Sequence, residues 1–275
     1  MVSVKFFIHA GAATMITTAA CAADLPPPPP IAYQPPAVVE APVSGWYLRG
    51  DVGIGISGPF KLTFEQNPLN VNAAEIDTFP EHQAMGDTPF FLAGVGYEWN
   101  NWLRFDVTGE YRSKTEINAF GSFFFPAIPF VGGDFYTGFL KSWVFLGNAY
   151  LDLGTWNCLT PFIGVGFGGA YNTISNLADI GIGTSGRGIG QNGSNWNFAW
   201  AAHAGVAYTV TQNTKLELAY RYLSYGSVTD TVDCFGGCNP DSFKWSKLTS
   251  QDLMLGFRWM FPVEPVVAAP LRTRG

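Results

Sequence analysis

Leu103, Phe105, Val107, Gly109 and Tyr111 alternate with Arg104, Asp106, Thr108, Glu110 and Arg112, so this segment has an apolar face and a charged face at a period of two. Period two is the signature of a β-strand with two different environments. Seven further segments repeat it: Trp46 to Ser57, Phe90 to Trp99, Phe139 to Leu153, Thr160 to Tyr171, Asn195 to Thr209, Lys215 to Tyr225 and Gln251 to Phe261. Connection lengths alternate as well. Short turns fall near Asn100-Asn101, Gly154 to Leu159 and Val210 to Thr214, whereas long loops are expected over Gly58 to Pro89, Ser113 to Gly138, Asn172 to Ser194 and Gly226 to Ser250.

Eight such segments could close around an apolar core in water or around a polar core in lipid. Charged residues make up only 13% of the chain and aromatics 16%, whereas ordinary soluble domains are about 25% charged. No run of about 20 apolar residues offers a spanning helix. Even Leu159 to Ala178 is interrupted by Pro161, Gly164, Gly166, Gly168 and Gly169. A closed barrel is the other structure that pairs all backbone groups in hydrocarbon. The apolar faces carry aromatics at their ends, with Trp46, Trp99, Tyr208 and Trp259 toward the short turns and Tyr111, Tyr171, Trp196 and Tyr222 toward the loops. Two aromatic girdles mark the two interfaces of a membrane barrel. The charged faces also hold Gly53, Gly55, Gly94, Gly96, Gly164, Gly166, Gly168 and Gly256, as a narrow interior requires. Lys141 is the one charge on the apolar faces of the eight segments. The expectation is an all-β fold, an eight-stranded antiparallel transmembrane β-barrel over residues 45–261.

Residues 1–22 read as a secretory signal, with Lys5, an apolar run from Phe6 to Ala20, and the small-x-small site Ala20-Cys21-Ala22. The competing reading makes Cys21 a lipidated N-terminus. Residues 23–44, with Pro26 to Pro30, Pro35, Pro36 and Pro42, read as a Pro-rich periplasmic linker, and 262–275 as a periplasmic tail. The expected location is the cell outer membrane, in contact with its lipid.

Gly45-Trp46-Tyr47-Leu48-Arg49-Gly50 after a Pro-rich start, and Leu159-Thr160-Pro161-Phe162-Ile163-Gly164-Val165-Gly166 after a turn, resemble the opacity-type and porin-family outer-membrane β-barrels of Gram-negative bacteria. The last strand, Gly256-Phe257-Arg258-Trp259-Met260-Phe261, is similar to the signal that the barrel-assembly machinery reads in that group. Gly256, Trp259 and Phe261 match it, although this chain continues beyond the terminal aromatic. The resemblance implies that machinery as a partner during biogenesis.

The inward face combines Arg49, Arg104, Arg112, Lys215, Arg221 and Arg258 with Asp51, Asp106, Glu110, Asp152, Glu217 and Asp252. Their signs balance, which suits either a structural ion-pair network or a proton or ion pathway. Gly53 to Gly58 and Gly164 to Gly169 satisfy GxGxxG formally, yet neither opens a helix, so no dinucleotide cofactor is expected. Among the histidines, His82 with Glu81 or Asp87 is the candidate for catalysis, without a supporting motif, and no metal-ligand spacing arises. The formal charge of −6 argues against a nucleic-acid partner. Cys234 and Cys238, separated by Phe-Gly-Gly, can close a small disulfide ring in an oxidising compartment. Phe120, Phe123, Phe124, Phe125, Phe130, Phe135 and Tyr136 concentrate aromatic surface in one loop, which either meets a host or cell-surface ligand, another protein or lipid, or folds over the barrel mouth above strands that project beyond the bilayer. The functional expectation is a non-enzymatic surface or envelope-structural protein, with a narrow transporter for small or hydrophobic solutes as the alternative and a lipid A-modifying enzyme behind it.

Overall fold

The computed structural model describes residues 45–65, 76–125, 130–182, 186–234 and 241–262, with side chains described outside 64–82, 123–130 and 234–240. Eleven strands follow in order: β1 (Gly45–Ser57), β2 (Lys61–Glu65), β3 (Ile76–Met85), β4 (Thr88–Glu98), β5 (Leu103–Phe125), β6 (Phe130–Asp152), β7 (Leu159–Ile182), β8 (Arg187–Gly190), β9 (Ser194–Thr211), β10 (Thr214–Cys234) and β11 (Asp241–Met260). Eight of them, β1, β4, β5, β6, β7, β9, β10 and β11, pair antiparallel with their neighbours in that order. The ring closes where β1 pairs β11, from Tyr47↔Met260 to Ser57↔Ser250. No edge strand is then left within the ring, which is what hydrocarbon demands.

Tight turns join strands at one end. Asn100 accepts the N–H groups of Trp102 and Leu103 through its Oδ1 at 2.9 and 2.8 Å, and so supplies the carbonyl that a reversing chain lacks. In the β6–β7 turn, Asn157 and Cys158 take φ values of 49° and 67°, which Asn tolerates through its short polar side chain. At the other end the structure departs from expectation. The segments expected as long loops are largely strand: β5 and β6 each run 23 residues, β7 24, β10 21 and β11 20. About 10 residues suffice to cross a bilayer at a tilt. The remainder raises the wall above the membrane, where β2 pairs β11, β3 pairs β5, and β8 lies against β7 and β10.

Bulges mark the change of level. The β5–β6 register slips between Arg112 and Thr115, and the β10–β11 register slips around Gly226, whose φ is 89°. Asn176 in β7 and Lys247 in β11 also take positive φ, at 53° and 60°. Each bulge shifts the inward parity by one residue. In β5 the buried positions pass from Arg104, Asp106, Thr108, Glu110 and Arg112 to Thr115, Ile117 and Ala119. The polarity inverts at the same place. Below, charges point in and apolar side chains out; above, Leu140, Ile174, Leu177, Leu223, Val228, Trp245 and Leu248 fill the inside.

Candidate functional site

The lower interior is built around arginines that reach across the lumen. Arg49 grips Asp51 with Nε and Nη2 at 2.9 and 2.8 Å, and its Nη1 reaches Asp106 and the Tyr150 hydroxyl, each at 2.8 Å. Asp106 also accepts from Tyr47 at 3.1 Å and from the Asn148 amide at 2.7 Å. Arg104 pairs with Asp152 at 3.1 Å, while its guanidinium lies 4.0 Å from the Tyr150 ring centre and 4.6 Å from that of Phe162. Glu217 is the hub: Arg258 stands 3.0 Å from its Oε1, Arg104 3.7 Å from the same oxygen, and Arg49 3.7 Å from Oε2. Glu98 then joins Arg258 at 2.9 Å and Lys215 at 3.4 Å. These groups come from β1, β4, β5, β6, β10 and β11.

Above them sits a second, smaller cluster. Arg112 meets Glu110 at 2.9 Å, Asp252 at 3.0 Å and the Ser250 hydroxyl at 2.7 Å. Arg221 meets Glu110 and Asp252 at 2.6 Å each. Arg112–Asp252 joins β5 to β11 and Arg221–Glu110 joins β5 to β10, both across the ring, with the Phe90 ring centre 4.8 Å from Arg112 and 5.0 Å from Arg221. Glycine makes the room. A Cβ on Gly55 would overlap the Arg112 guanidinium, the Asp252 carboxylate and the Ser250 hydroxyl, and one on Gly256 would overlap the Asp51 carboxylate.

The inward charges expected from the sequence form two clusters, and the buried Phe90, Leu92, Tyr150, Phe162 and Met254 pack together among them, Tyr150 and Phe162 against Arg104 and Phe90 against Arg112 and Arg221. Glu98 was missed, although its parity with Gly94 and Gly96 placed it inward. Tyr47, Tyr150, Asn148 and Ser250 were missed because uncharged polar residues do not stand out in an alternating pattern. His203 is buried with its ring centre 5.3 Å from that of Tyr150. The His82 side chain lies outside the described residues, so its candidate pairing with Glu81 or Asp87 has no described geometry.

The apolar upper interior closes the barrel above the clusters. Trp245 is 1% exposed, Leu248 0% and Ile174 0%. The rings of Tyr136 and Phe243 meet at a tilt with centres 4.9 Å apart, and the Phe243 ring centre lies 6.2 Å from that of Trp245. Asn172 donates to the carbonyls of Tyr225 and Ser227 at 2.7 and 3.1 Å, which satisfies the backbone that the Gly226 bulge leaves unpaired. Burial raises the Asp230 carboxyl above its ordinary value, against the backbone N–H groups of Thr231, Gly193, Asn192 and Gln191, which lower it. A recess between the two regions, lined by Thr88, Arg112, Thr115, Leu140, Ser142 and Tyr225, has no space for a water molecule.

Outside, two aromatic bands face outward. The lower contains Trp46–Tyr97 at 5.4 Å and Trp259–Phe261 at 4.9 Å between ring centres; the upper contains Phe91–Tyr111 at 5.7 Å, Tyr111–Trp143 at 4.8 Å and Tyr171–Trp196 at 5.1 Å. The rise from Leu103 to Tyr111, at about 3.3 Å per residue and a tilt near 40°, is roughly 20 Å, close to the apolar height of an outer-membrane barrel. Gly256 faces inward beside Asp51, whereas Phe261 is exposed and continues the seam by donating its N–H to the Trp46 carbonyl at 3.0 Å. Of the aromatic loop, Tyr136 points in and Phe135 out, while Phe123, Phe124, Phe125 and Phe130 have side chains outside the described residues. So do Cys234 and Cys238. Cys158 is a free, exposed thiol in the β6–β7 turn.

An uncharacterized protein of Brucella abortus (strain 2308) is 31% identical over 201 residues, covering 67% of this chain and 69% of that one. The outer membrane protein PagN of Salmonella typhimurium is 30% identical over 119 residues, covering 42% of this chain and 48% of that one. The crystal structure of the outer membrane protein OprG from Pseudomonas aeruginosa shares 12% identity over 81% of this chain and 98% of that chain, with a TM-score of 0.45, too low to bear on function. The family described as outer membrane protein beta-barrel domain matches residues 12–261. Taken with the closed eight-stranded ring, that match makes the chain a member of the outer membrane protein beta-barrel family.

Proposed function

We propose that this chain is a non-enzymatic surface protein of the outer membrane, whose raised extracellular wall makes contacts in adhesion or envelope integrity. The observation that carries this reading is the filled interior. Ion pairs cross the lower lumen and an apolar core occupies the upper one, so the wall and the outer rim are the parts left to act. In this reading residues 1–22 direct export, 23–44 form a spacer, and 262–275 form a tail.

The test is to express the chain in a non-adherent Gram-negative host beside a barrel whose residues 116–136 and 175–193 are replaced by short turns. At equal surface levels, cells with the full chain should bind host-cell monolayers or survive detergent stress better than cells with the trimmed barrel. Equal behaviour in both assays would contradict the reading.

Gly256, Trp259 and Phe261 fit the part of an assembly signal. Phe261 belongs both to the lower aromatic band and to the β1–β11 seam. Deleting Phe261 to Gly275 should lower the yield of heat-modifiable barrel in the membrane severalfold, whereas deleting Pro262 to Gly275 should not. Equal yields from the two truncations would remove Phe261 from that role.

A further inference from the structure

The outer wall carries a feature that neither the filled interior nor the assembly seam uses. Directly above the upper aromatic band, Lys114 of β5 and Lys141 of β6 sit on the same outward face, where the β5–β6 register slips between Arg112↔Ser142 and Thr115↔Leu140. Lys141 pairs in register with Thr173 of β7, which pairs with Ser194 of β9, so the wall on the β7 side is uncharged at this level, while on the other side the exposed Asp87 and Glu116 flank Lys114. Among the described residues neither lysine has an ion-pair partner. Glu116, the next outward carboxylate on β5, accepts instead from the Asn118 amide at 3.1 Å.

Aromatic surface continues above and below the two cations. Below are Tyr111 and Trp143, in ring contact at 4.8 Å within the upper band. Above, Phe139 and Phe135 face outward, each 37% exposed, and the Lys114 ammonium lies 6.0 Å from the Phe139 ring centre. Phe135 pairs in register with Ile180 of β7, which is also exposed, and Ile182 and Ile189 extend the patch. A ligand that fits this face presents acyl chains at the level of Trp143, an anionic group at Lys114 and Lys141, and a rigid, partly apolar body beside Phe139 and Phe135. Sugar rings present C–H faces that pack on aromatics by dispersion, and phosphates accept charge-assisted hydrogen bonds from ammonium groups.

We propose that the β5–β6 face, with Lys114, Lys141, Phe139 and Phe135, is a docking site for a phosphorylated glycolipid of the outer leaflet. The acyl chains continue the lipid contact already made by the barrel, so this inference rests on the membrane placement and not on the adhesion reading.

The test uses the full chain purified in detergent and incubated with phosphorylated lipid A, its dephosphorylated form, or phosphatidylglycerol, with retained lipid measured by native mass spectrometry. Wild type should retain phosphorylated lipid A at least about tenfold more than either of the others. The double variant Lys114→Ala with Lys141→Ala should lose that preference, while Lys244→Ala with Lys247→Ala, on the β11 side, should keep it. Heat-modifiable migration confirms that each variant is folded, and the wild-type comparison among the three lipids stands without any variant. Equal retention of phosphorylated and dephosphorylated lipid by wild type, equal retention of phosphatidylglycerol, or an equal loss from the β11-side variant would overturn the proposal.

Discussion

Glu217→Ala should destabilise the barrel by about 3 kcal/mol in urea unfolding, the lower end of the range for removing one partner from a buried ion pair, because the three arginines keep other carboxylates. The reason is local charge. Glu217 is 2% exposed and lies between Arg258, Arg104 and Arg49. Two of these, Arg49 and Arg258, are register partners across the β1–β11 seam; Arg49 keeps Asp51 and Asp106 and Arg258 keeps Glu98, so the loss leaves excess buried positive charge where the ring closes rather than a lone arginine. Glu217→Gln retains the shape and some hydrogen bonding but not the charge, and should fall between wild type and the alanine variant. An unfolding midpoint for Glu217→Ala equal to that of wild type would show that water reaches these arginines and solvates them.

Trp245→Ala should act on the other half of the molecule. Trp245 is 1% exposed and fills the interior above the membrane beside Phe243, and loss of a buried tryptophan costs about 3–5 kcal/mol through lost contacts and the cavity left behind. The charge clusters meet this core at its lower margin, where the Arg112 guanidinium lies 5.5 Å from the Tyr225 ring centre, and Trp245 sits above that margin, so the expected loss is regional. Amide exchange should accelerate in the upper parts of β10 and β11, from Val228 to Val232 and from Ser242 to Leu248, while the lower parts of the same strands stay protected. Uniform acceleration along both strands would show that the two halves unfold as one unit.

The strand ring was legible in the sequence because lipid imposes one rule on every segment that it touches, apolar out and polar in. Leu103 to Arg112 obeys it without a break. Above the membrane water replaces lipid, and the rule inverts: Lys114, Glu116 and Asn118 point outward while Ile117 and Ala119 point in. A bulge shifts the parity at the same place. Two simultaneous changes cancel any continuous pattern, so Ser113 to Gly138 looked like a loop when it is mostly paired strand. The same happens in β7 past Asn176 and in β10 past Gly226.

The site was legible in part for a related reason. Charges on the inward face announce themselves by alternation, but which of them meet depends on strand tilt and stagger around the ring. Nothing in the spacing of Arg112 and Asp252, 140 residues apart, shows that they bond. The glycines at 55 and 256 gave a hint that became specific only with the structure, where each vacates space for a carboxylate or guanidinium. Glu98 shows the opposite failure. Its parity was available, and only its position at the end of a segment hid it.

The central claim is that the barrel is closed by its own side chains, and single-channel recording of the purified wild-type chain in a planar bilayer tests it most directly. Eight strands leave an interior that side chains can fill, whereas open aqueous channels belong to barrels of about 16 strands. With Arg112 and Arg221 bridging to Glu110 and Asp252, and with Trp245 and Leu248 buried above them, the account predicts a silent bilayer under conditions in which the protein is inserted and heat-modifiable. Stable, reproducible nanosiemens steps, absent from mock preparations, would contradict it.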